Sequence, residues 1–294
     1  MSGFAHTPVL AAGAIEALVV RPGGRYVDGT VGGGGHAALI LEASMPDGWL
    51  GACDRDGAAA AAAASRLAPF AGRWEIRRGT FESLGDWIDP GSVDGVLLDL
   101  GVSSPQLDEP ARGFSFGADG PLDMRMDDRG EQTAAGLVNR LAEEELANLI
   151  WEMGGEQKSR RIARAIVRER EARPLETTAQ LAGVIERAVP RRGARRHPAT
   201  RTFQALRMAV NDETGSLRRG LPVTTELLRP GGRLVTITFH GLEARMVKEF
   251  GDAAAKSESP TLRWARRKSL QPDDEEQRAN PRSRSAQLRV LEKI

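Results

Sequence analysis

The sequence predicts an α/β protein, a doubly wound sheet interrupted by a mostly helical insertion. Three observations carry this reading. Over the first hundred residues, short β-type runs alternate with helical segments, as strand–helix–strand units require. The alternation stops at Gly101, and a β-rich run returns only after Pro230-Gly231-Gly232.

Taken in order, Arg25–Asp28, with Thr30 just beyond it, reads as a strand running into a glycine-rich turn. The apolar periodicity of Ala37–Leu41 then predicts a helix. Trp49–Asp54 is the second strand, Trp74–Arg78 the third and Val93–Leu100 the fourth. The fourth is apolar at nearly every position, as expected of a strand covered on both faces. Ala58–Ala64 is an unbroken alanine run, a strong helix former that packs closely on a sheet. Between Gly101 and Asp128 there is no apolar period, only turn formers and charges with Phe114 and Phe116 among them. A loop of that length is functional or disordered, and the interleaved Phe, Leu and Met speak against disorder. Thr133–Gly155, Ser159–Arg173, Thr178–Val189 and about 199–210 read as helices. Arg233–His240 rejoins the sheet, and Gln287–Leu291 adds a last strand. The resulting division is a sheet domain at 1–107 and 212–294, with an inserted helical domain at 108–211.

A chain of 294 residues suits one large domain plus a smaller one. The single cysteine, Cys53, excludes an intramolecular disulfide. Met1–Leu10 lacks a basic start followed by an apolar region, so no signal peptide is expected. No apolar run approaches the roughly 18 residues of a membrane span, so a cytoplasmic location is expected. The net charge of +1 says nothing about partners, but its distribution does. Between Lys158 and Arg207 there are 14 Lys/Arg against 4 Asp/Glu, inside the insertion. That excess reads as a phosphate-binding surface, with Arg191, Arg192, Arg195 and Arg196 at its centre. Phe114 and Phe116 are apolar wedges for a splayed base or, alternatively, pack the loop down.

The turn itself reads Asp28-Gly29-Thr30-Val31-Gly32-Gly33-Gly34-Gly35-His36. Glycines there let the backbone approach a ligand and leave amides free at a helix N-terminus. Asp54 closes the second strand about 20 residues on, the place of a carboxylate that accepts from a ribose diol. It also suits a helix N-cap. The nicotinamide fingerprint spaces its glycines differently and expects a pyrophosphate. Asp28 would repel a pyrophosphate and attract a sulfonium or amino group, which favours S-adenosylmethionine.

Longer motifs add a resemblance. Leu98-Asp99-Leu100-Gly101-Val102-Ser103-Ser104-Pro105-Gln106-Leu107-Asp108, Arg112-Gly113-Phe114-Ser115-Phe116 and Asp119-Gly120-Pro121-Leu122-Asp123-Met124-Arg125-Met126-Asp127 resemble the bacterial 16S rRNA cytosine-N4 methyltransferase family. His6-Thr7-Pro8-Val9-Leu10, the stretch His197–Arg207, Phe239-His240 and Asn280-Pro281-Arg282-Ser283-Arg284-Ser285 are similar to it as well. The resemblance implies a class I (Rossmann-like) methyltransferase sheet carrying an inserted helical domain. It also implies methyl transfer to N4 of a cytosine in the decoding region of small-subunit rRNA. By matching position it implies cofactor contacts at Gly34, Gly35, His36, Asp54, Phe81, Asp99 and Gln106. His197 and Arg201, in the motif that the four arginines flank, are expected on the RNA surface with them. The chain departs from the family pattern at Gly155, Gly241 and Ala244.

An exocyclic amine is a poor nucleophile, so its methylation needs an in-line methyl donor and an acceptor for the N–H proton. Asp99 is the first candidate acceptor; the rival reading is that it contacts the cofactor alone. Ser103, Ser104, Asp123 and His240 follow. No His/Cys/Asp cluster has metal-ligand spacing, so no metal is expected. A nicotinamide-dependent oxidoreductase, a catalytically inactive RNA-binding assembly factor and a DNA methyltransferase are the competing readings.

Overall fold

Seven extended runs pair into one mixed sheet in the computed structural model, which describes residues 8–190 and 197–294. They are β1 (Arg25–Asp28), β2 (Trp49–Asp54), β3 (Trp74–Arg78), β4 (Val93–Asp99), β5 (Leu228–Thr238), β6 (Leu262–Trp264) and β7 (Gln287–Lys293). Their order is β3-β2-β1-β4-β5-β7-β6; the first five are parallel, and β7 runs antiparallel between β5 and β6. Side chains alternate across the sheet with period two: Tyr26 and Leu97 enter one buried cluster, Val27, Val96 and Leu98 the other. The helices Ala11–Leu18, Gly35–Ala43 and Gly57–Leu67 supply the first cluster, Glu213–Glu226 and Gly241–Ala255 the second. This is the doubly wound arrangement the sequence predicts.

The chain divides into two compact units, Met1–Gly101 with Thr214–Ile294, and Val102–Glu213. Residues 102–107, expected with the sheet, belong to the second unit because Val102 and Leu107 pack on its core. That core gathers Ile150, Ile162, Ile166, Leu181 and Leu206 from the helices, and Phe114, Leu122 and Met124 from the long loop. The loop is stapled, not disordered. The Asn211 side chain accepts from the Met126 amide (2.7 Å) and donates to the Met124 carbonyl (2.8 Å), and Arg112 donates to the carbonyl of Arg125 (2.9 Å).

Three expectations are corrected. Thr133–Gly155 is two helices, Ala134–Arg140 and Glu143–Gly154. The second starts afresh because Glu145 accepts from the Ala142 amide (3.0 Å) and three glutamates fill its first turn. Pro230-Gly231-Gly232 does not precede β5 but bulges within it, shifting the register from Val93↔Leu228 to Gly95↔Arg233. β5 also ends at Thr238, which leaves Phe239 and His240 beyond the sheet.

Candidate functional site

In the sheet unit, β1 is flanked by β2 and β4, and the chain reverses its direction of winding between β1 and β4. Ligands of open α/β sheets bind beyond the carboxyl ends of the strands at such a switch point. Three carboxylates, Asp28, Asp54 and Asp99, end β1, β2 and β4.

The turn after β1 is fixed by backbone bonds. The Val31 amide donates to the Cys53 carbonyl (3.0 Å), and the Gly34 amide to the Val31 carbonyl (2.8 Å). Gly34 has φ of 77°, and a Cβ there would lie 3.1 Å from the Ala63 Cα, so only glycine suits the position. At Gly33 a Cβ would meet nothing within 4 Å. The helix Gly35–Ala43 starts here with no capping bond from the side chain of its N-cap position, which Gly34 fills.

The carboxylates differ in setting. Asp54 accepts from the amides of Gly32 (2.9 Å) and Asp56 (2.9 Å), and keeps lone pairs on both oxygens. Its pKa is raised, chiefly by burial. It is Asp56, not Asp54, that caps the alanine helix, through the Ala58 amide (3.0 Å). Asp28 accepts from the Thr30 amide (3.1 Å), and burial, with Asp54 nearby, pushes its pKa up to about 7. Asp99 has one buried oxygen, Oδ1, with no hydrogen-bond partner among the described residues. Its pKa lies well above the usual carboxylate range, from burial first and then the charges of Asp28 and Glu243.

Three residues of this site escaped the sequence reading. The Asp99 amide donates to Thr30 Oγ1 (2.6 Å), so Thr30 ties the end of β1 to the end of β4. His36 is buried, with Nε2 3.0 Å from the Val9 carbonyl oxygen and Nδ1 3.7 Å from Asp99 Oδ2, so Val9 sets the ring's orientation. Glu243, from the helix after β5, is buried and accepts from the Phe239 amide (3.2 Å). His240 caps that helix; its Nε2 is 3.0 Å from Glu243 Oε1 but out of line for a hydrogen bond. A side chain at Gly241 would enter open space.

Phe81 is 6% exposed, and its ring is so close to Gly220 that a Cβ there would be 2.2 Å from it, so the ring packs into the core.

The second unit holds the remaining residues. Gln106 is buried and accepts from the Ser103 amide (2.9 Å), capping the helix Ser104–Asp108. Burial raises the pKa of Asp123, but the paired Arg125 (2.7 Å) outweighs this and holds it below the usual range. Phe114 is buried in the core; Phe116 stacks on His197 with ring centroids 4.5 Å apart. His197 is also paired to Glu186 (2.6 Å) and accepts from the Ala199 amide, so both ring nitrogens serve the unit itself. Arg201 is exposed, donating to the Gly155 carbonyl (3.3 Å) and lying 3.8 Å from Glu156. Gly155 ends its helix at φ of 62°, where a larger residue is strained. Arg191, Arg192, Arg195 and Arg196 lie outside the described residues. Of the other cations Arg207 is paired to Glu213 (2.6 Å), while Lys158, Arg161, Arg168 and Arg173 stay exposed.

No helix among the described residues is long and apolar enough to cross a membrane. A sequence model described as the MraW methylase family matches residues 3–294. The Ribosomal RNA small subunit methyltransferase H of Symbiobacterium thermophilum is 50% identical, over 99% of this chain and 97% of its own. Its namesake in Geotalea uraniireducens is 50% identical over 100% of both chains. The solved structure of PH0851 aligns with 98% of this chain and 46% of its own, with a TM-score of 0.50 at 14% identity, which bears on the fold alone.

Proposed function

The chain belongs to the MraW methylase family, and we propose on that footing that it methylates N4 of a cytosine in the decoding region of 16S rRNA, with S-adenosylmethionine as donor. The observation that supports this reading best is the trio of strand-end carboxylates with one buried, unpartnered oxygen, Asp99 Oδ1. Three acids beside a glycine turn suit a cationic ligand and oppose a dinucleotide's pyrophosphate. This weighs against the oxidoreductase reading.

In the proposed site the amides of Gly34 and Gly35 and the ring of His36 border the methionine end of the cofactor. Asp28 offers negative charge to its ammonium or sulfonium, and Asp54 its lone pairs to the ribose diol. Phe81 shapes the floor from within the core. When bound, the cofactor supplies an electrophilic methyl group. Asp99 Oδ1 accepts the N–H of the target amine and takes up the proton that methylation releases. A carboxylate with a raised pKa is a stronger acceptor than an ordinary one. Thr30 fixes the backbone of Asp99 through its amide, and His36 lies beside the carboxylate. The exposed cations of the insertion, Arg201 among them, bind RNA phosphates in the small subunit, and Arg191, Arg192, Arg195 and Arg196 are given the same role from the charge of the sequence alone. The reaction is placed in the cytoplasm.

Mass-spectrometric mapping of cytidine methylation in small-subunit rRNA from cells lacking the protein tests the reaction; an unchanged map would refute it. Asp99→Asn should slow single-turnover methylation at saturating cofactor by about 10²–10⁴-fold, as removal of a general base does. In the wild type that rate should rise with pH, because the acceptor must be unprotonated. A normal rate in Asp99→Asn would confine Asp99 to cofactor binding.

A further inference from the structure

The motif Asn280–Ser285 takes no part in the site just described. Its backbone is a tight turn. Asn280 Oδ1 accepts from the Arg282 amide (3.2 Å), Ser283 Oγ donates to the Asn280 carbonyl (2.8 Å), and the Ala286 amide donates to the Ser283 carbonyl (2.7 Å). Ser283 is buried, whereas Arg282 and Arg284 are exposed. The polar residues hold the turn together, and the arginines project from it.

Sheet register locates this turn. Asp99 pairs with Ile237 and Ile237 with Leu288, so the three stand in one row across β4, β5 and β7. Strands lie about 4.8 Å apart, which puts Leu288 about 10 Å from Asp99. Residues 281–286 enter β7 just beyond Gln287, which pairs with Thr238, the last residue of β5. The arginine turn therefore stands on the rim where Asp99 ends. Leu270 bridges Leu288 through two main-chain bonds (2.9 and 2.8 Å), bringing the exposed run Arg266-Arg267-Lys268 alongside. Arg266, Arg267, Lys268 and Arg284 have no carboxylate partner among the described residues. Other arginines of this unit do have carboxylate partners, as in Arg21–Asp94 and Arg233–Glu292.

We propose that Arg282, Arg284 and the run Arg266–Lys268 form a second phosphate-binding surface, on the sheet unit itself. It grips the sugar–phosphate backbone of the substrate RNA close to the target base. The proposal rests on the rRNA methyltransferase reading and adds the place where the sheet unit holds its substrate.

The test uses the full chain and a fluorescent RNA hairpin carrying the decoding-region sequence. Arg282→Ala/Arg284→Ala and Arg266→Ala/Arg267→Ala/Lys268→Ala, combined, should weaken hairpin binding about tenfold or more at 0.1 M salt. The slope of log affinity against log salt should shrink by about 0.7 for each phosphate that is no longer neutralised. S-adenosylmethionine affinity and the melting temperature should stay those of the wild type, and Arg282→Lys/Arg284→Lys should restore most of the binding. Unchanged RNA affinity in a folded variant would overturn the proposal, as would weaker binding with an unchanged salt slope. A wild-type chain that binds the hairpin but never methylates small subunits would sink the functional reading instead, leaving the surface measured.

Discussion

Asp28 shows how one buried side chain couples the site to pH. Its carboxyl titrates near 7 in the folded protein and near 3.9 in an unfolded chain. Below about pH 4 both states hold the proton, and the group has no effect on stability. From there to about 7 only the folded state keeps it, so stability falls as pH rises, by about 1.4 kcal/mol per unit and about 4 kcal/mol in all. Asp28→Asn keeps an acceptor for the Thr30 amide and removes the charge. In urea melts without cofactor, the variant should gain stability over the wild type between pH 5 and pH 8. Parallel pH profiles would mean that Asp28 is not desolvated as the structure indicates.

Among the elements, the glycine turn separates two roles that the sequence shows as one. Gly34→Ala places a side chain at φ of 77° against Ala63 and should cost about 1–3 kcal/mol of stability. Gly33→Ala meets nothing within 4 Å, so it should change stability by under about 0.5 kcal/mol. If the cofactor crosses this turn, calorimetry should still find S-adenosylmethionine affinity reduced in Gly33→Ala. Normal affinity would place the cofactor elsewhere. The turn, Asp54 and Asp99 were legible because residue type and strand position are local signals. Thr30, Val9 and Glu243 were not, since each acts on a group far along the chain that only sheet register or packing brings near. Residue type alone also does not mark Glu186 as the partner of His197 or Glu213 as that of Arg207. The helix break at Ala142 was signalled by its acid-rich start; the apolar period masked it.

For the whole molecule, two compact units predict departure from two-state unfolding. Calorimetry should resolve two transitions, and S-adenosylhomocysteine at about 100 times its Kd should stabilise the sheet unit by about 2.7 kcal/mol. Trp151, the only tryptophan of Val102–Glu213, lies 53% exposed and reports on that unit separately. A single transition reported alike by Trp151 and by calorimetry would contradict the division. The split also bears on how the chain finds its shape. β4 and β5 are sheet neighbours, yet all of Val102–Glu213 lies between them in the chain. Closing so long a loop before any pairing forms is entropically slow. An insertion that condenses first would shorten the search, and this is the order of events expected for the sheet that carries the chemistry. Ile150→Ala, deep in the insertion core, should then slow formation of the sheet in stopped-flow refolding, although it touches no strand.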